Sequence, residues 1–131
     1  MFIDTSGLMC LFDAGDHRHS SAINHFESTT ARLTHNYVLA EFVALATARR
    51  APRSAALRFV EALASGLEVD VKWVSPELHQ RAMRLLFERG DKLWSLCDAV
   101  SFVIMGDEHI ADSLTTDHHF DQAGFVRLLD R

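Results

Sequence analysis

Only two cysteines, Cys10 and Cys97, occur in the 131 residues, and no Cys/His cluster carries the spacing of a zinc site. Each sits in an apolar stretch, where a thiol behaves as a small buried hydrophobe in a reducing compartment. Long apolar runs are missing as well. The charge-free stretch from Ala99 to Gly106 falls far short of the roughly 20 residues that a membrane-crossing helix needs. Met1-Phe2-Ile3-Asp4 has neither the basic start nor the apolar segment of a signal peptide, so the expectation is a soluble, cytoplasmic protein. There is no internal repeat, low-complexity tract or linker, which suits one domain over residues 1–131. The only prolines, Pro52 and Pro76, read as helix starts, where a missing N–H costs little.

Lysine is scarce too. Lys72 and Lys92 are the only lysines among 13 basic residues, and the rest are arginine. The formal net charge of −5 argues against a nucleic-acid partner if spread evenly. The bases are not spread evenly. Arg49, Arg50, Arg53 and Arg58 form one group, and Arg81, Arg84 and Arg89 a second. Arginine holds phosphate bidentately, so both groups are compatible with RNA contact, and both are equally readable as solvated helix faces.

Apolar periodicity and punctuation divide the chain. Residues 1–4 read as a short buried strand ending in an acid, and Ser6 to Phe12 as a short helix. A polar turn, Asp16-His17-Arg18-His19, precedes a helix from Ser20 to Ser28. Arg32-Leu33-Thr34 is too short to assign, but long helical patterns follow from Asn36 to Arg49 and from Pro52 to Ala64, the second stopped by Gly66. Alternation over Leu67 to Val71 predicts a strand reaching about Val74. Ser75-Pro76-Glu77 starts a helix that Gly90 ends, and Leu96 to Met105 is helical and almost wholly apolar. Ala111 to Thr115 and Phe125 to Leu129 read as the last strands. Strands alternating with helices predict an α/β fold: a mostly parallel sheet of about four or five strands, flanked by helices on both faces. In such sheets the site lies beyond the carboxyl ends of the strands.

Four acids stand in apolar company. Glu41 is the only charged residue from Leu33 through Ala48, and Asp98 the only one from Leu93 to Gly106. An acid in a helix that is apolar nearly all round is costly unless paired or bound to a cation. Asp4 and Asp117 each close a predicted strand. Carboxylates that converge repel one another, and a divalent metal resolves the conflict. Oxygen-only ligands select a hard cation, Mg²⁺ or Mn²⁺, and such a site suits phosphodiester hydrolysis. Ser6 and Thr116, beside the acids, are candidate auxiliary hydroxyls. Each acid also has a plainer reading. Asp4 and Asp98 are candidate helix caps, Asp117 a helix start, and Glu41 one half of a buried pair with an arginine.

The motifs Ile3-Asp4-Thr5-Ser6, Thr34 with Glu41, Leu96-Cys97-Asp98-Ala99 and Leu114-Thr115-Thr116-Asp117-His118-His119-Phe120, in that order and over the full length, resemble PIN-domain nucleases. More specifically, they resemble the VapC-type toxins of bacterial and archaeal toxin–antitoxin pairs. The resemblance implies a PIN-like fold, Mg²⁺- or Mn²⁺-dependent endoribonuclease activity on RNA, and site acids at Asp4, Glu41, Asp98 and Asp117. It also implies a homodimer and a VapB-type antitoxin partner. The alternative is a non-catalytic PIN-like domain for RNA binding or interaction. A phosphoacceptor receiver domain fits poorly, because Asp4 has no adjacent acid and neither lysine follows a late strand. Asp121 is read as solvated surface, His17, His19, His118 and His119 as surface or loop residues, and Trp73 and Trp94 as packing residues.

Overall fold

Five strands and seven helices alternate through the computed structural model, which describes residues 1–131. The order is β1 (Phe2–Ile3), α1 (Thr5–Phe12), α2 (His19–Ser28), β2 (Leu33–His35), α3 (Asn36–Ala48) and α4 (Arg53–Ser65). It continues with β3 (Asp70–Lys72), α5 (Pro76–Glu88), α6 (Leu96–Asp107), β4 (Asp112–Leu114), α7 (His118–Gln122) and β5 (Val126–Arg127). The strands form one sheet in the order β3-β2-β1-β4-β5, and every neighbouring pair is parallel. No helix is long and apolar enough to cross a membrane.

Successive strand residues point to opposite faces of a sheet. Phe2 and Ile3 in β1 are both fully buried, and so is all of β2, so helices cover both faces there. Phe2, Phe42, Phe120, Leu8 and Val100 are among the largest fully buried side chains. Phe102 packs edge-on against Trp94 and Phe120, with ring centroids 5.0 Å apart in each pair. α1 lies so close to β4 that a Cβ at Gly7 would overlap the Leu114 carbonyl.

Several strand boundaries differ from expectation. The unassigned segment around Leu33 is an inner strand, hydrogen-bonded to both β1 and β3. The strand expected over 67–74 is only Asp70–Lys72. Leu67 there is fully exposed, so its alternation with Glu68 reflects a bend and not a pleat. The last strand shrinks to Val126–Arg127, because pairing with β4 ends at Ser113.

The chain first builds the sheet outward from β1 through β2 to β3, then returns to add β4 and β5 on the other side of β1. The strand order therefore reverses between β1 and β4, and such a reversal opens a crevice at the carboxyl ends of the strands. Asp4 follows β1 and Asp117 follows β4, so these two acids flank that crevice.

Candidate metal centre

Asp4 is the N-cap residue of α1, but its side chain caps nothing. Its Oδ2 accepts a 3.0 Å bond from the Thr115 hydroxyl. Its Oδ1 is buried without any partner. With its proton committed to Asp4, Thr115 Oγ1 accepts from the Asp117 N–H at 3.0 Å and from the Ser6 hydroxyl at 3.1 Å. Ser6 Oγ in turn accepts the Thr116 N–H at 2.9 Å. Thr115 and Thr116, which follow β4, are thus tied to Asp4 and Ser6 at the start of α1. Burial raises the Asp4 pKa to about 7, and the negative charges of Asp98 and Glu41 add to the rise. The Thr5 main-chain N–H and the Thr115 hydroxyl offset part of it.

Asp98 is buried in the first turn of α6 and does serve as a cap. Ser95 Oγ accepts its N–H, and its Oδ2 accepts the Ser95 N–H, both at 3.0 Å. His119 Nδ1 reaches the same Oδ2 at 2.9 Å. The cap and the site are compatible, because only one carboxylate oxygen takes part. Asp117 also fulfils its plainer reading. Its Oδ1 accepts the His119 N–H at 2.9 Å and starts α7, while its Oδ2 lies 3.5 Å from His119 Nδ1.

Glu41 departs from expectation. It is exposed and forms no ion pair, although α3 is otherwise apolar. The apolar run Tyr37 to Leu45 buries Val38, Leu39 and Phe42 and turns Ala40, Glu41 and Ala44 outward, so composition alone misjudged the face. Glu41 stands on the wall of an open cavity of about 460 Å³. Asp4, Ser6, Thr116, Asp117 and Arg131 line the same cavity.

α3 and α6 are locked together behind the site. His35 Nδ1 accepts the Val38 N–H, so the ring proton sits on Nε2 and is donated to Ser101 Oγ at 2.8 Å. Ser101 passes its own proton to the Cys97 carbonyl at 2.9 Å. Burial lowers the His35 pKa to about 4 and keeps the ring neutral.

The four predicted acids therefore meet as two linked groups. Ligand atoms of Asp4, Glu41 and Cys97 lie within 4.8 Å of one another, and so do those of Asp117, His118 and His119. His119 joins the second group to Asp98. Of the auxiliary hydroxyls, Ser6 bonds into the network, whereas the hydroxyl on Asp4 belongs to Thr115 and not to Thr116. Asp121 pairs with Arg127 at the surface. His119, Thr115 and Cys97 escape sequence reasoning. The cap at Asp117 offered a signal for His119, since such a cap fixes the residue two positions on. Trp94 packs as expected and donates to Gln122 at 3.0 Å, but Trp73 is exposed.

This arrangement fits a divalent cation. A buried carboxylate oxygen without a donor, with two further acids acting on it electrostatically, is stabilised by positive charge at the crevice. Asp4, Asp98 and Asp117 stand at the N-terminal ends of α1, α6 and α7, whose partial positive charges favour their ionised forms.

A fold and site of this kind define a family. The PIN-domain family model matches residues 1–126, and the chain belongs to the PIN-domain family. Among characterised proteins it is similar to the 23S rRNA-specific endonuclease VapC20 of Mycobacterium tuberculosis, in strains CDC 1551 / Oshkosh and H37Rv. The identity is 32% over 129 residues, covering 98% of this chain and 97% of the relative. The crystal structure of M. tuberculosis VapC20, described as a sarcin–ricin loop cleaving toxin, superposes with a TM-score of 0.87 over 95% of each chain, at 32% identity.

Proposed function

We propose that this chain is a metal-dependent endoribonuclease that hydrolyses phosphodiester bonds in RNA, and that it acts in the cytoplasm as the toxin of a type II toxin–antitoxin pair. The observation that carries the metal dependence is the unpartnered, buried Oδ1 of Asp4 beside Glu41 and Asp98. Asp4, Glu41, Asp98 and Asp117 would hold Mg²⁺ or Mn²⁺. Bound there, the cation supplies the positive charge that makes water a better nucleophile and stabilises the charge developing on phosphate.

The chain's own groups do the rest. Thr115 and Ser6 hold Asp4 in place, and Ser95 and His119 hold Asp98. Asp117 lines the cavity, where its carboxylate would accept a proton from an approaching water. Arg131 and Thr116 line the same cavity and would contact phosphate oxygens there. The two arginine groups now separate. Arg81 pairs with Asp107 and Arg89 with Asp91, leaving Arg84 as the one unpaired member of the second group, whereas Arg49, Arg50, Arg53 and Arg58 all lack an ion pair. Arg49 follows Glu41 and Leu45 along one stripe of α3, so it continues from the acidic cavity and suits an RNA backbone.

The relative's substrate makes 23S rRNA the first RNA to test. The exposed Trp73, Phe87 and Leu93 support protein contacts, with a second copy and with a VapB-type antitoxin. Incubating total RNA with the purified protein tests the activity directly. Discrete products are expected with Mg²⁺ or Mn²⁺ and none with EDTA. Cleavage that persists in EDTA, or no cleavage of any RNA class by folded protein, overturns the reading.

A further inference from the structure

Cys97 sets a sulfur donor among the oxygens, and a hard-cation site has no use for it. It is the second residue of α6, adjacent to Asp98, and its Sγ faces Asp4 and Glu41. The three ligand atoms lie within 4.8 Å of one another. Asp4 is only 4% exposed, and its Oδ1 has no partner. Glu41 is exposed on α3 and forms no ion pair, and its carboxylate already reaches the Cys97 thiol. The main chain behind Cys97 is fixed by the Ser95–Asp98 box and by the bond from Ser101 to the Cys97 carbonyl. This is a prearranged set of one thiol and two carboxylates, with one of its oxygens unsatisfied.

Donor chemistry decides what such a set prefers. Carboxylates alone favour Mg²⁺ or Mn²⁺, whereas a thiol shifts preference toward thiophilic ions and up the affinity series toward Zn²⁺. Zinc accepts sulfur and carboxylate together and completes four-coordination with water.

We propose that Asp4, Glu41 and Cys97 form a binding site for a thiophilic divalent cation of the Zn²⁺ class, which excludes the activating ion and silences the enzyme. Binding replaces the thiol proton with a metal–sulfur bond and releases that proton to solvent. No electron is transferred. Exclusion follows because Asp4 and Glu41 belong to both donor sets. The silencing half of this proposal rests on the nuclease reading above, and the binding half does not.

Titrating Cd²⁺ into the reduced, metal-free protein tests the site, with thiolate-to-metal charge-transfer absorption as the signal. One equivalent is expected to develop the band and release protons. The band is expected to vanish in Cys97→Ser and to survive in Cys10→Ala, whose thiol lies elsewhere in the core. Glu41→Gln alters an exposed residue and spares the fold, so it provides a second variant. It is expected to keep the thiol but bind Cd²⁺ at least tenfold more weakly. Absence of a band, a band that persists in Cys97→Ser, or an unchanged affinity in Glu41→Gln overturns the site. Zn²⁺ sensitivity is then measured as the ratio of Mg²⁺-supported cleavage with and without Zn²⁺, within each protein. A large loss in the wild type and a small one in Cys97→Ser supports silencing, and equal losses overturn it. A Cys97-dependent band in a protein that cleaves no RNA refutes the nuclease reading and the silencing while leaving the binding site standing. Cleavage without a band refutes the site alone.

Discussion

His119 Nδ1 lies 2.9 Å from Asp98 Oδ2, on the oxygen that already accepts the Ser95 N–H. Two donors on one oxygen fix the carboxylate and leave Oδ1 without a hydrogen bond. Such outer partners commonly change metal affinity or activity about 10–100-fold. Asparagine at this position places an amide N–H close to the Nδ1 site, whereas glutamine places one near Nε2. His119→Asn is therefore expected to retain Mn²⁺ affinity within about threefold, and His119→Ala and His119→Gln to lose about tenfold or more. Calorimetric Mn²⁺ titration checks this independently of cleavage. Equal affinities in all three variants contradict a positioning role.

The pH dependence of stability should show two opposed titrations. Between its ordinary 3.8 and about 7, folded Asp4 keeps a proton that the unfolded chain has lost, so it makes stability fall as pH rises. Between about 4 and its ordinary 6.5, unfolded His35 carries a proton that the folded ring lacks, so it makes stability rise. The two nearly cancel in metal-free wild type over pH 4 to 6.5. Asp4→Asn removes one of them, and its stability is expected to climb with pH by up to about 1.4 kcal/mol per unit. Urea unfolding in EDTA across this range measures both. Parallel profiles for the two proteins contradict the account.

Gly7 is where α1 touches the Leu114 carbonyl of β4, with no space for a methyl group. Gly7→Ala would favour the helix locally yet force α1 away from the strand. A net loss of about 1–3 kcal/mol is expected from this overpacking. Thermal unfolding reads it. Because Asp4 and Ser6 flank Gly7, activity should fall further than the loss of folded protein explains.

The free arginines should carry the salt dependence of RNA binding. Arg49→Gln combined with Arg53→Gln is expected to flatten the slope of log K against log salt by about one to two, roughly one for each phosphate no longer neutralised. Arg81→Gln, which breaks only the pair with Asp107, is expected to leave the slope unchanged. Fluorescence anisotropy on a non-cleaving background compares them.

Much of this was legible in the sequence. Alternating patterns announced a parallel sheet, and Asp4 and Asp117 stand where strand ends predict. Asp98 is buried as its apolar neighbours suggested. Glu41 lies at the site but is exposed, because an apolar helix at a crevice can leave one stripe open, and composition does not say which. Thr115 was passed over for Thr116 because strand parity is readable only once the register of β4 is known. Cys97 read as a small buried hydrophobe and His119 as a surface or loop residue, since their partners, Glu41 and Asp98, lie far away in the chain. Only the topology brings them together.

A single metal-dependent ribonuclease centre built from these acids should fail when one of them is neutralised. Cleavage of 23S rRNA by wild type and Asp98→Asn, with Mn²⁺ or EDTA and with thermal melts run in parallel, tests it most directly. Discrete Mn²⁺-dependent products are expected from the wild type, with a loss of at least about 100-fold in the folded variant. Equal cleavage by a folded Asp98→Asn protein would contradict it.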